Sequence, residues 1–215
     1  TSFKTLILSL PVLYLRFTLF NLRRTLMNKS FIIKIIVFCL VTIKVSAIEK
    51  VILFGDSLMA GYGLPNEQHL SVVLQKSLEF DGHNIEIING SVSGSTSAGG
   101  LNIAEWTLSE NNIDLMILCL GANDMLRGIN PKETKNNLEK IIEIAKNKNI
   151  KVIIAGMIAP TSYGYAYKKS FDKIFSDLSK KHKLQLITFI LEGVAKKSKY
   201  NLNKSIHKNN KGTKK

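Results

Sequence analysis

Cysteine is nearly missing from this chain. Of 215 residues only Cys39 and Cys119 are cysteines, and Cys39 falls in a segment that reads as a removable leader. Phe38 precedes it where a lipoprotein site wants a small residue, which excludes lipidation. A mature chain with one cysteine forms no internal disulfide and must rely on its core. Cys119 sits in an apolar run and reads as a buried small hydrophobe. Acidic residues are missing from both ends. Residues 1–47 hold seven Lys or Arg and no Asp or Glu, and residues 196–215 hold eight Lys and no acid. The remaining body carries 15 basic and 16 acidic residues, so the formal net charge of +14 belongs to the ends. A nucleic-acid binder carries its basic face on the folded body, and this near-neutral body argues against that class. No apolar run is long enough for a membrane span, which needs about 20 residues. His69, His83 and His182 show no metal-ligand spacing and read as surface residues. Internal repeats and low-complexity linkers are absent before the lysine-rich tail.

What is present at the N-terminus has the layout of targeting sequence. Met27-Asn28-Lys29 opens a positive region. The apolar run Ile35–Val41 follows, extended past Thr42 by Ile43, and Val45-Ser46-Ala47 is a small-residue cleavage site. This is the pattern of a secretory signal peptide. The reading divides the chain into residues 1–26 as an upstream leader or readthrough, 27–47 as signal peptide and 48–215 as the folded domain. It places the mature protein in the periplasm or outside the cell. An N-terminal membrane anchor, built with the mostly apolar Leu6–Leu15, is the alternative.

From Ile48 onward short apolar runs alternate with helical spacing. Strands are expected at Val51–Phe54, Ile85–Ile88, Asp114–Leu120, Val152–Ile158 and Leu184–Phe189. Helices are expected at Asn66–Phe80, Leu101–Asn111, Pro131–Lys148 and Tyr165–His182, with Asn89–Gly100 as a small-residue loop. Trp106, Leu101 and Leu108 are expected to pack the second helix. The alternation defines an α/β domain with a parallel five-stranded sheet covered on both sides. In such sheets the functional loops lie beyond the carboxyl ends of the strands. Those ends carry Gly55-Asp56-Ser57, Asn89–Thr96, Gly121–Asp124 and Ala159–Tyr163.

Ser57 follows an apolar strand and a Gly-Asp pair, so it reads either as a helix N-cap or as a nucleophile. A nucleophilic serine needs a base and donors aimed at the developing oxyanion. Gly94 can present a backbone N–H and Asn123 a side-chain amide. Taken singly, Gly94 also reads as a plain turn and Asn123 as a turn-forming Asx residue. Their convergence on one sheet edge favours the chemical reading.

Gly55-Asp56-Ser57-Leu58, then NGSVSGST at 89–96, Gly121-Ala122-Asn123-Asp124 and Ile206-His207 resemble the four blocks of the SGNH (GDSL) hydrolases. GANDMLRG at 121–128 and YGYAYKKSF at 163–171 resemble the bacterial periplasmic arylesterase, acyl thioesterase I or lysophospholipase type. The resemblance spans about Glu49 to Thr213. It implies a three-layer α/β/α sandwich of flavodoxin-like order. It implies Ser57 as nucleophile, His207 as general base, and an oxyanion hole made of the Ser57 N–H, the Gly94 N–H and the Asn123 side chain. No metal or cofactor is implied. The reaction would be hydrolysis of an ester or thioester through an acyl-enzyme. The chain would act as a monomer on a small-molecule acyl substrate.

Two departures stand out. The family places an Asp three residues before its histidine to orient the imidazole, and here that residue is Lys204; the proline that usually follows the histidine is Lys208. Asp56 and Asp124 are the nearest acids by motif and are expected to brace the loops. A Lys204 cation would lower the imidazole pKa and oppose charge build-up on it. The family also continues beyond its Lys-Gly pair with an amphipathic helix over the sheet; here that helix is missing from the sequence, read as truncation at both ends or, alternatively, as a fold that lacks it and exposes apolar surface. The pocket is expected over Ser57, bordered by Met59, Leu126 and the 159–167 loop. Ile158, Tyr163 and Tyr165 there suit an acyl chain. Two alternatives stay open: a catalytically impaired acyl- or glycan-binding protein, and a carbohydrate O-acetylesterase.

Overall fold

The computed structural model describes residues 49–109, 112–193 and 209–213. All lie in the compact unit formed by residues 48–215. The elements in order are β1 (Lys50–Gly55), α1 (Ser57–Ala60), a 3₁₀ turn (Asn66–Gln68), α2 (Leu70–Phe80), β2 (Glu86–Asn89), α3 (Ser97–Thr107), β3 (Leu115–Cys119), α4 (Ala122–Leu126), α5 (Pro131–Asn147), β4 (Lys151–Ala155), a second 3₁₀ turn (Thr161–Tyr163), α6 (Tyr165–His182), β5 (Gln185–Ile187) and α7 (Asn210–Thr213).

The strands pair in parallel in the order β2-β1-β3-β4-β5. Chain order reverses between β1 and β3, and the crevice at such a switch point is where ligands of open α/β sheets bind. Side chains alternate across the sheet. Ile52, Phe54, Met116, Leu118, Val152 and Ile154 face one way and pack with buried residues of α3, α5 and α6. Leu53, Cys119 and Ala155 face the other way and pack with Met59, Leu70 and Leu74. Each large apolar side chain buried this way contributes about 1.5–3 kcal/mol. The second face is less covered: Ile117 and Ile153 are half-buried, and Ile187 is 39% exposed.

Local sequence explains most boundaries. Asn130 caps α5 by accepting from the Lys132 N–H at 3.0 Å, Pro131 supplies the first turn, and Leu138, Ile141, Ile142 and Ala145 form the buried stripe. The helix Tyr165–His182 has the bounds its periodicity predicts. Two helices differ from expectation. The third begins at Ser97 rather than Leu101, because the Thr96 hydroxyl accepts from the Gly99 N–H at 3.2 Å. Gly99 and Gly100 hide that start, since glycine disfavours helix by about 1 kcal/mol. Gly100 is nonetheless needed: a Cβ there would come within 2.3 Å of the buried Leu120 Cδ1. The segment expected as one helix over 66–80 is broken at His69, whose backbone is extended and whose Nε2 lies 3.0 Å from the Leu64 carbonyl.

Two side-chain assignments need correction. His182 is not a surface residue: its side chain is only 10% exposed, with Nε2 2.6 Å from Glu139 Oε1 across the α5–α6 contact. Trp106 does not pack its helix and is 81% exposed; Leu108 is buried in its place.

Candidate active site

β1 ends at Gly55, where the chain must pass close to its neighbours. A Cβ there would lie 2.7 Å from both the Cys119 carbonyl oxygen and Met59 Cγ. Asp56 then caps α1, its Oδ1 accepting from the Leu58 N–H at 3.0 Å. Ser57 is therefore the first residue of the helix and not its cap. It is half-buried at the carboxyl edge of the sheet. Met59 does not border a pocket; it is buried beneath, against Leu53, Cys119 and Ala155.

The second block is sewn to the first by the backbone. The Val92 N–H donates to the Gly55 carbonyl at 3.0 Å, and the Ser91 hydroxyl donates to the Leu53 carbonyl at 2.9 Å. Gly94 has φ +80°, a conformation glycine adopts freely. The third block closes on both. The Asn123 amide donates to the Ser95 carbonyl at 3.0 Å and lies 3.4 Å from Asp56 Oδ2. Ser57, Gly94 and Asn123 thus come from three strand ends to one edge.

The two acids of these blocks brace the loops. Asp124 is fully buried and accepts from the Ser97 N–H, the Ser97 hydroxyl and the Thr134 hydroxyl. Asn137 donates in turn to the Ser97 hydroxyl at 3.0 Å. This network fastens α4 to α3 and α5, and such fully satisfied buried networks are rigid. Asp56 is also buried, and burial is the main cause of its pKa rising from 3.8 to about 6. The Leu58 N–H pulls the other way, and the charge of Asp124 adds to the rise.

That rise has a definite sign. Between pH 4 and pH 6 the folded Asp56 keeps a proton that the unfolded chain has released. Stability therefore falls as pH rises through this window and is level above it, by about 3 kcal/mol for this group. Asp56→Asn keeps a good capping residue and removes the titration. Urea unfolding at pH 4 and pH 7 is expected to show the wild type losing stability relative to the variant. An equal pH response in both would contradict the assignment.

The fourth strand end is also pinned. Asp172 accepts from the Ala159 N–H at 2.8 Å, and Lys168 Nζ bridges the Ala159 carbonyl and Asp172. Tyr163, from the second 3₁₀ turn, stacks on Tyr167 of α6, which stacks on Phe171; Phe175 meets Phe171 edge-on, and the Tyr167 hydroxyl donates to the Ile129 carbonyl at 3.0 Å. Leu126, Ile158 and Tyr165 stay exposed on this edge, at 52%, 42% and 79%.

His207 and Lys204 lie outside the described residues. The chain just beyond them returns to the serine: Thr213 shares a small cleft with Ser57, Leu58 and Tyr62. A larger cavity of about 580 Å³ opens at the opposite, amino end of β3–β5, among Leu115, Lys151, Ile153 and His182, and carries none of the four blocks. Among the described residues, one group has ligand geometry for a metal: Glu139, Glu143 and His182, within 4.8 Å of one another. Glu139 there is already paired with Lys181 at 2.7 Å, which, with His182, holds its carboxyl below the usual range. One site contact had no signal in periodicity or composition. Arg127, inside GANDMLRG, donates to the Gly94 carbonyl at 3.1 Å across 33 residues of sequence.

A parallel β2-β1-β3-β4-β5 sheet with these blocks on its carboxyl edge has the fold of an SGNH hydrolase. The family model of the GDSL-like lipase/acylhydrolases matches residues 53–215. An arylesterase of Vibrio mimicus is 35% identical over 173 residues, covering 80% of this chain and 86% of the relative. Thioesterase 1/protease 1/lysophospholipase L1 of Escherichia coli K12 is 29% identical over 170 residues, covering 79% and 80%. The crystal structure of AlinE4, an SGNH-hydrolase family esterase, superposes with a TM-score of 0.71 at 36% identity, covering 77% of this chain and 89% of that one. The chain belongs to the GDSL-like lipase/acylhydrolase family, whose members with these names hydrolyse ester bonds. No helix among the described residues is long and apolar enough to cross a membrane.

Proposed function

We propose that this protein is an exported serine esterase that cleaves carboxylic esters or thioesters through an acyl-enzyme on Ser57. The observation that carries the reading is the Asn123 amide, which ties the strand ends of Ser57 and Gly94 into one edge. The Ser57 hydroxyl attacks the acyl carbon as its proton passes to His207. The oxyanion forms among the N–H groups of Ser57 and Gly94 and the Asn123 amide. One amide hydrogen of Asn123 holds Ser95; the other reaches Asp56 only at 3.4 Å, a long contact that an oxyanion replaces. His207 returns its proton to the departing alcohol or thiol, and water then releases the acid by the same route. Residues 27–47 serve export in this reading. Sequencing of the secreted protein from its N-terminus is expected to begin at Ile48.

The exposed Leu126, Ile158 and Tyr165 suit an acyl chain on the site edge. The names of the relatives span aryl esters, thioesters and lysophospholipids. The test is a series of p-nitrophenyl esters from acetyl to dodecanoyl, run beside acyl-CoA and acetylated xylo-oligosaccharides. We expect kcat/KM to peak at butyryl or longer, because each buried methylene adds about 0.8 kcal/mol. Turnover confined to the acetylated sugars would identify a carbohydrate O-acetylesterase instead. Lys204 favours a second reading, an impaired acyl- or glycan-binding member of the fold.

A further inference from the structure

Gly94 poses a physical problem. A glycine is the residue least able to hold its own peptide planes still, yet its N–H must point at one place for an oxyanion hole to work. No side chain can steady it, and a Cβ built there would touch nothing within 4 Å. The restraint comes from outside. The Ser95 N–H donates to the Val92 carbonyl at 3.1 Å, closing a tight turn around Ser93-Gly94. The carbonyl of the same Gly94–Ser95 peptide accepts from Arg127 Nη2 at 3.1 Å. Both polar atoms of that plane are then engaged, which holds the plane and the Gly94 α-carbon within it.

The source of these bonds matters. Arg127 is four residues after Asn123, one helical turn on, so the two side chains leave the same side of α4. They hold consecutive carbonyls, Asn123 that of Ser95 and Arg127 that of Gly94. The helix that grips is itself fixed through the buried Asp124 to Ser97 and Thr134. The frame therefore runs from α5 through α4 into the glycine turn.

We infer that Arg127 is a positioning residue for the oxyanion hole: its guanidinium fixes the Gly94–Ser95 peptide and with it the place of the Gly94 α-carbon, from which the N–H of the preceding peptide projects. This rests on the proposed reading of the site. An exposed hydrogen bond adds little to global stability, so the effect belongs to turnover. Loss of a whole oxyanion donor costs about 10²- to 10³-fold in kcat. Loss of its restraint is expected to cost less, about 10-fold, because the turn bond from Ser95 to Val92 remains.

The test uses the full chain and p-nitrophenyl butyrate, with Arg127→Ala, Arg127→Lys and Ser57→Ala measured together. Expected for Arg127→Ala is a kcat about 10-fold lower, with KM and melting temperature unchanged. Guanidinium at about 20 mM, far below the molar range that unfolds proteins, is expected to restore part of that loss. Arg127→Lys should fall between the two, because one ammonium cannot reproduce the planar fork. A raised KM with unchanged kcat would overturn the inference, placing Arg127 in substrate binding instead. An unchanged kcat, or a loss that guanidinium does not relieve, would also overturn it. Full activity in Ser57→Ala would defeat the underlying site reading, a result separate from any behaviour of Arg127.

Discussion

Ser57→Ala is expected to lower p-nitrophenyl butyrate turnover by about 10⁴- to 10⁶-fold, the range seen when a serine nucleophile is removed from a catalytic triad. The fold should survive the change. Ser57 stands at the first position of α1, and the capping bond that starts this helix comes from Asp56. Alanine is tolerated well inside a helix, so circular dichroism and melting temperature should match the wild type. The residual rate, if any, reports the oxyanion donors acting on water without a covalent step. A variant keeping a tenth or more of the activity would remove Ser57 from the chemistry.

Lys204→Asp is expected to raise kcat, by about 10²- to 10⁴-fold. The scale comes from the serine-protease triad, where replacing the orienting Asp by its amide costs about 10⁴ in kcat. A lysine is a harsher replacement than an amide. It offers no acceptor for the imidazole N–H, and its charge disfavours the imidazolium that forms as Ser57 gives up its proton. The pH profile supplies a second reading. With Lys204 the acidic limb of kcat/KM, which requires that the imidazole be neutral, should begin at lower pH than in Lys204→Asp. Equal rates in both chains would mean that another acceptor, such as a backbone carbonyl, already orients His207. The impaired-binder reading predicts something different: activity that is absent in the unmodified chain and appears with the carboxylate.

Much of this site was legible in the sequence because its parts are local. Each block directly follows an apolar strand, and strands alternating with helices leave few topologies. The bracing role of Asp56 could be read from its motif, since it caps Leu58 two residues on; Asp124 was placed as a brace by its motif too, although its partners Ser97 and Thr134 lie 27 and 10 residues away. What stayed hidden depends on distance along the chain. Arg127 meets Gly94 across 33 residues, and His182 meets Glu139 across 43. No periodicity reports such pairs. The start of α3 was masked for another reason: Gly99 and Gly100 oppose helix locally, and only packing against Leu120 shows why glycine stands there. Met59 misled in the opposite direction. A methionine two residues after the serine reads as pocket lining, but the short α1 turns it under the sheet edge into the core. Trp106 misled as well, because an aromatic residue in a helix defaults to packing, whereas here it lies on the solvent side of α3.

The claim at the centre is that Ser57 is a nucleophile, and covalent capture tests it directly. The chain and its Lys204→Asp variant would be treated with a p-nitrophenyl alkylphosphonate, which loses p-nitrophenolate when a serine oxygen bonds to phosphorus. Mass spectrometry of the intact protein and of its peptides then locates the adduct. The account predicts one phosphonyl group per chain, on Ser57, forming faster in Lys204→Asp and not at all in Ser57→Ala. An adduct on Ser91, Ser93 or Ser95 instead, or none on Ser57 in either chain while ester hydrolysis continues, would contradict it.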